Sequence, residues 1–460
     1  MSVVLELALQ LPPAGSRDVR RRLHEQLRAA ILDGRLAAGV QLPASRALAE
    51  QLGLSRNTAM AVYDLLLSEG HIASRPGAGT FVAGAAPKAS LEADPRTAAS
   101  FNLRPGRPDT AGFPFDIWGR LTGRTLRRFS RAAATYREPA GHPALREAIA
   151  GHLSFARALA CAPEDVIVTV GAQQAFDLLA RTLTAHGRRT VVVEDPGYPA
   201  AREAFAAAGA EVIAVPVDRE GLVIEALPEG AALVCVTPSQ QYPLGAPLSP
   251  ARRAALLAYA ARNDTLIVED DYGGEFRFEG PPQSTLRGED RDGRVVYVGT
   301  FSQSLLPALR IGFVVAPERV RPALLAARER ADWHGPAIEH ATLAAFIAEG
   351  HLARHVRKMR RVYAERRVAL LKALAEHGDA LLDPIPAPAG LHVTALLRAP
   401  VEAKAVVARA LASGVAIDSL ETYAAERAPA PGLVLGFGQI EAARIDEAVR
   451  RLVRAIRDVA

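Results

Sequence analysis

Seven short Val/Ile/Leu-rich runs constrain this chain most, at 166–170, 190–194, 212–215, 233–237, 266–269, 295–299 and 313–316. Ala/Leu/Arg stretches of helical spacing separate them. Apolar runs without polar alternation are strands buried on both faces, and the helices between them are crossovers. The pattern predicts an α/β body around a mostly parallel seven-stranded sheet. From about residue 317 the spacing turns helical, including an Arg-rich stretch over 338–375, and a small α+β subdomain closes the chain. With 460 residues there is room for more than one domain.

The segment ahead of the sheet has a different grammar. Over residues 12–84, Val19, Leu23, Leu27, Ala30 and Ile31 follow helical spacing until Asp33-Gly34. Ser45 reads as the N-cap of a short second helix, and Gly53 as a turn. Ser55 caps a third helix with Val62, Leu65 and Leu66 on its apolar face, ended by Gly70. Residues 72–82 read as two strands around a Gly-rich tip. Helix, helix, turn, helix, hairpin is a winged helix-turn-helix.

Charge agrees with that reading. Lys+Arg total 55 against Asp+Glu 50, a net charge of only +5, too small for a protein coated in charge. Yet this module carries nine arginines (17, 20, 21, 22, 28, 35, 46, 56, 75) against six acidic residues, an excess of three. In Ser55-Arg56-Asn57-Thr58, arginine suits guanine, asparagine suits adenine, and the hydroxyls suit phosphate or base. Arg46, at the start of the second helix, is placed to meet a phosphate. The partner expected is double-stranded operator DNA.

The module resembles the GntR family of bacterial regulators. The matching residues are Ile31-Leu32-Asp33-Gly34-Arg35-Leu36, Leu42-Pro43-Ala44-Ser45-Arg46-Ala47-Leu48-Ala49, Leu54-Ser55-Arg56-Asn57-Thr58 and Glu69-Gly70. The resemblance implies DNA contact at Arg46, Ser55, Arg56, Asn57 and Thr58, and at the wing by Arg75, Gly77 and Gly79.

Residues 85–108, rich in Ala, Pro, Ser and Gly, read as a linker, leaving 109–460 as the body. Hydrophobic residues at 49% and charged ones at 23% exclude a largely disordered chain. Cys161 and Cys235 cannot make a disulfide framework or a four-cysteine metal site, and no metal is expected. No run is long enough to span a bilayer and no signal peptide is evident, so a cytoplasmic location is expected.

In the body, polar clusters follow the predicted strands. They are Gly171-Ala172-Gln173-Gln174, Asp195-Pro196-Gly197-Tyr198, Thr237-Pro238-Ser239-Gln240-Gln241-Tyr242-Pro243, Asp270-Asp271-Tyr272 and Gly299-Thr300-Phe301-Ser302-Gln303. Open α/β sheets bind ligands outside the carboxyl ends of their strands, so these loops point to one pocket. The Gly-Ala-Gln turn opening a helix offers backbone N–H groups to an anion, and Arg310 can add charge-assisted bonds to the same phosphate.

Here the body resembles fold type I pyridoxal-phosphate aminotransferases. Joined to a GntR module, it resembles the MocR subfamily of transcriptional regulators. That resemblance implies Asp270 on the pyridine nitrogen and Tyr272 on the 3′-oxygen. It also implies Thr300, Ser302, Arg310 and the amides of Gly171, Ala172 and Gln173 on the phosphate, with Tyr198, Gln241 and Tyr242 as lining. A homodimer is implied in the same way.

The chain departs from the pattern at the residue that matters most. Where the family has the Schiff-base lysine, this chain has Gln303, and an amide nitrogen is not a nucleophile. Its only lysines, Lys88, Lys358, Lys372 and Lys404, are distant in sequence. Gln240 replaces the usual His and Gly273 the usual Asp. No arginine occurs over 432–437, where these enzymes carry a substrate-carboxylate partner, so an amino-acid effector is not supported. The expectation is a regulator whose body binds pyridoxal phosphate non-covalently, or a related anionic effector, without transaminase turnover. The alternative is an active aminotransferase carrying a DNA-binding module.

Overall fold

The computed structural model describes residues 7, 9–13, 16, 18–75, 79–83, 99–130, 135–185, 187, 189–280, 283–398, 400–425 and 430–460. The chain divides into two compact units, 1–93 and 94–460.

In the first unit, α1 (Val19–Leu32), α2 (Ser45–Leu52) and α3 (Arg56–Ser68) pack around Leu23, Leu27, Leu48, Val62 and Leu66. The wing has three strands: β1 (Gln41–Leu42) joins the hairpin of β2 (Ile72–Arg75) and β3 (Gly79–Val82). Two-residue β1 is too short to show a period in sequence. Two expectations change. Ser45 is the first helical residue of α2, with Ala44 at the cap and no side-chain capping bond. Leu65 is 41% exposed, because the buried stripe of α3 is Ala59, Val62, Tyr63 and Leu66, one position off Leu65. Tyr63 fixes α3 against the turn before α2 by donating to the Pro43 carbonyl at 2.7 Å.

In the second unit, β4 (Phe101–Asn102) is followed by α4 (Phe115–Phe129) and α5 (Pro143–Arg157). The main sheet then contains β5 (Val166–Thr169), β6 (Thr190–Asp195), β7 (Glu211–Asp218), β8 (Gly221–Leu222), β9 (Leu233–Val236), β10 (Leu266–Asp271), β11 (Val295–Thr300) and β12 (Gly312–Val315). Their order is β5-β12-β11-β10-β9-β6-β7-β8. The five strands from β11 to β7 are mutually parallel, while β12 and β8 run antiparallel to their neighbours. Among the described residues the sheet therefore has eight strands, not seven; β8 is a two-residue hairpin return that carries no periodic signal. Apolar residues of β5, β6, β9, β10 and β11 are buried on both faces, as continuous Val/Ile runs require.

The stretch over 338–375 is not one helix. It breaks at Gly350, whose φ of 73° only glycine adopts without strain, into Ala337–Ala348 and His351–Gly378. A second, antiparallel sheet follows: β13 (Leu382–Pro384), β14 (His392–Leu397), β17 (Gly432–Gly436) and β16 (Asp418–Ser419), in that order. β15 (Val415–Ala416) pairs instead with β4, in parallel.

That pairing corrects the linker expected over 85–108. Residues 101–108 belong to the body: Leu103 is fully buried, and Gly436 N–H donates to the Leu103 carbonyl at 2.7 Å. A Cβ on Gly436 would lie 2.3 Å from the Arg104 carbonyl oxygen, so this lead-in segment lies flush on β17. The partners are over 300 residues away in sequence, which local pattern cannot reveal. Among the described residues no helix is long and apolar enough to cross a membrane.

Candidate functional site

Two polar sites arise, one in each unit. In the first unit, α2 and α3 are held by their apolar stripes so that their opening turns face solvent. Arg46, Arg56 and Asn57 are exposed, and neither arginine has an ion-pair partner among the described residues. By contrast Arg21, Arg28 and Arg35 are engaged by Asp18 and Glu25, by Glu69 and by Asp33. Ser55 accepts from Thr58 N–H at 3.1 Å, and its hydroxyl lies 2.8 Å from that of Thr58. These two hydroxyls first serve the helix cap, a use the base-reading expectation did not include. Met60, one turn on and 42% exposed, was not singled out; its signal is its place off the buried stripe. At the wing, Arg75 ends β2 and Gly79 opens β3 with a φ of 108°. A Cβ on Gly79 would meet Gln41 Nε2 at 2.7 Å. Gly77 lies outside the described residues.

In the second unit a cavity of ≈ 230 Å³ opens at the carboxyl ends of the parallel strands. β10 delivers Asp270 and the following Tyr272; β11 delivers Thr300, Ser302 and Gln303. The N-terminus of α6 (Gly171–Ala185) supplies Ala172 and Gln173, and the loops after β6 and β9 supply Tyr198 and Tyr242. Arg310, in the left-handed region at φ 50°, completes the wall. It donates to the Val170 carbonyl at 3.2 Å and has no carboxylate partner among the described residues. Gly171 does not line the cavity but backs it, since a Cβ there would sit 2.8 Å from the Arg310 guanidinium. Thr300 and Ser302 hydroxyls lie 3.0 Å apart.

Gln241 is the residue the structure takes away from this set. It is buried, and its Nε2 donates to the Pro196 and Tyr242 carbonyls at 2.8 and 2.7 Å. It braces two loops and is spent on them. Gly106 and Pro307 line the cavity although neither was singled out for it, because neither carries a polar side-chain atom that would mark it in sequence. Gln240 and Gly273 line a smaller adjoining cavity that shares Asp270 and Tyr272.

Burial sets the electrostatics. Asp270 is 6% exposed with no hydrogen-bond or ion-pair partner among the described residues. Burial, then Asp271 and Glu194, push its carboxyl up to about 8. Tyr272 is pushed well up by burial, and its hydroxyl is buried without a partner among the described residues. Glu194, at about 7 for the same first cause, accepts from the Thr237 hydroxyl at 2.6 Å.

A phenol and a carboxyl without partners among the described residues, beside a guanidinium with no carboxylate partner there and a helix N-terminus, make a donor set that fits a phosphorylated pyridine. Gln303 makes no hydrogen bond to any described residue, and among the described residues no lysine lines the cavity. Lys358, Lys372 and Lys404 are on helices His351–Gly378 and Ala403–Ala412; Lys88 lies outside the described residues.

The wall of the cavity also reaches the lead-in segment. The Tyr242 hydroxyl donates to that of Tyr423 at 3.4 Å, Tyr423 to Asp418 at 3.0 Å, and Arg104 to Asp418 at 3.3 Å. Sequence could not find this chain of bonds, which spans three separate segments.

Comparisons with known proteins agree with both halves. Residues 123–456 match the family "Aminotransferase class I and II", and residues 19–82 match "Bacterial regulatory proteins, gntR family". The probable rhizopine catabolism regulatory protein MocR of Rhizobium meliloti is 36% identical, over 94% of this chain and 93% of its own. The HTH-type pyridoxine biosynthesis transcriptional regulator PdxR of Corynebacterium glutamicum is 35% identical, over 95% of each. Among solved structures, the α-aminoadipate aminotransferase LysN of Thermus thermophilus, complexed with N-(5′-phosphopyridoxyl)-L-leucine, superposes with a TM-score of 0.71. It is 28% identical and covers 78% of this chain and 92% of its own.

Proposed function

This chain belongs to the gntR family of bacterial regulatory proteins in its MocR form, a winged helix joined to an aminotransferase class I and II body, and from that premise we propose that it is a DNA-binding regulator whose body binds pyridoxal phosphate, or a related anionic effector, without covalent attachment and without transaminase turnover. It is an HTH-type transcriptional regulator. The observation that carries the rest is the cavity itself, where Asp270, Tyr272 and Arg310 remain in place around Gln303.

Bound there, the cofactor would supply an electron-withdrawing ring and an aldehyde. Asp270 would face the ring nitrogen, and its raised carboxyl would lose its proton once a cationic N–H neutralised it. Tyr272 would give its orphaned hydroxyl to the ring oxygen. Arg310, the hydroxyls of Thr300 and Ser302 and the amides opening α6 would hold the phosphate. Gln303 can donate and accept hydrogen bonds, but it cannot attack a carbonyl or relay a proton as a general base.

In the module, Arg56 and Asn57 would read base edges and Arg46 a phosphate, as their exposure and lack of competing ion pairs allow. Ligand in the cavity would bear on DNA binding through residues 101–108, since Gly106 lines the cavity and Arg104 ends the Tyr242–Tyr423–Asp418 chain. It can do so only by binding one arrangement more tightly than the other. The resemblance to fold type I aminotransferases implies a homodimer as the working form.

Gel-shift titration of the full chain on its own promoter region tests the DNA arm, with salt-sensitive specific binding expected. Failure of any specific complex would refute it.

A further inference from the structure

We infer that Gln303 makes this pocket selective for the amine form of the phosphorylated pyridine, pyridoxamine 5′-phosphate, over the aldehyde form. The inference rests on the proposed pocket but goes beyond it, naming which chemical state the site holds and which residue decides.

Three observations carry it. The Gln303 amide has no partner among the described residues, so both its oxygen and its nitrogen are free for a ligand. Its Nε2 lies 3.8 Å from where a Cβ on Gly106 would be, and Gly106 has φ 72°, which leaves bare backbone opposite the amide. A ligand substituent therefore meets the amide across glycine backbone rather than across another side chain. Finally, among the described residues Arg310 is the one cation lining this cavity, and no lysine lines it to repel a second positive charge or to capture an aldehyde.

The chemistry then discriminates. An aldehyde offers Gln303 only an acceptor, answered by a neutral N–H donor. An ammonium on the same carbon donates to the amide oxygen in a charge-assisted bond, roughly twice as strong as a neutral one. The aldehyde form has meanwhile lost the covalent bond that a lysine at this position would give it. The ammonium also brings into the cavity the positive charge that a lysine would have contributed.

The test is equilibrium dialysis of the full chain against pyridoxamine 5′-phosphate and pyridoxal 5′-phosphate, in buffer without primary amines. The parent should hold the amine form about tenfold or more tightly, a gap of about 1.4 kcal/mol. Gln303→Leu, which removes both hydrogen-bonding atoms, should bring the two affinities within about twofold. Gln303→Glu should widen the gap beyond the parent's, and Gln303→Lys should reverse it, with the aldehyde form fixed by borohydride. Equal or inverted affinities in the parent, or a preference that survives Gln303→Leu, overturn the inference while leaving the pocket reading intact. If the parent binds neither compound, the pyridoxal-phosphate reading of the pocket fails and this inference with it.

Discussion

The opening turn of α3 and the floor of the body cavity both gather polar side chains, but in opposite physical states. Arg56 and Asn57 are solvated, adjacent in sequence and held only by their helix. Asp270 and Tyr272 are buried, without partners among the described residues, and are assembled with Thr300 and Arg310 by the sheet. A solvated cation costs the fold little and acts on a polyanion at a distance. A buried orphan polar group costs the fold about 1–3 kcal/mol until something satisfies it. On the proposed reading, one site is a surface for a large charged partner, and the other a void whose free energy would fall when a small ligand entered. The two should therefore fail differently.

The largest expected effect is on the solvated side. Arg56→Ala should lower specific operator affinity by about 10- to 100-fold in a gel shift and relax preference at the base it reads. Arg46→Ala should weaken specific and non-specific DNA alike and reduce the salt slope by about one. Neither should change ligand binding to the body.

On the buried side, Arg310→Ala should weaken pyridoxal phosphate by at least about tenfold in dialysis and leave DNA affinity without ligand unchanged. An unaltered ligand affinity would remove Arg310 from the site.

Stability should distinguish the two regions more finely. Asp270 holds its proton up to about pH 8 when folded, against an ordinary value of 3.8, so the folded state binds more protons between those limits. Its contribution thus lowers the stability of the ligand-free protein as pH rises from about 4 to about 8. Asp270→Asn should match the parent near pH 4 and melt higher at pH 8.5, with the difference shrinking when ligand is present. Smallest of all, Tyr272→Phe should raise ligand-free stability by roughly 1 kcal/mol by deleting an unsatisfied hydroxyl, yet weaken ligand binding. A Tyr272→Phe protein that loses stability would show that the hydroxyl has a partner after all.

The same contrast explains what could be read in advance. Arg56 and Asn57 sit side by side after a capping serine, and the β runs that place Asp270 and Thr300 are continuous and apolar, so local pattern suffices for both. Gln241 could not be told from its neighbours, because its side chain turns inward to the Pro196 and Tyr242 carbonyls. Residues 101–108 looked like linker because their partners, Val415–Ala416 and Gly436, lie at the far end of the chain. Gly106 and Pro307 take part through shape alone. What was missed depends on long-range pairing, and what was legible depends on residue type and spacing.

The most direct measurement is mass spectrometry of the full chain after saturation with pyridoxal phosphate, borohydride treatment and denaturation, beside a dialysis binding curve. Saturable binding with no added mass is the expected result. A stoichiometric borohydride-fixed adduct would mean that a lysine reaches the ligand, and would contradict non-covalent binding around Gln303.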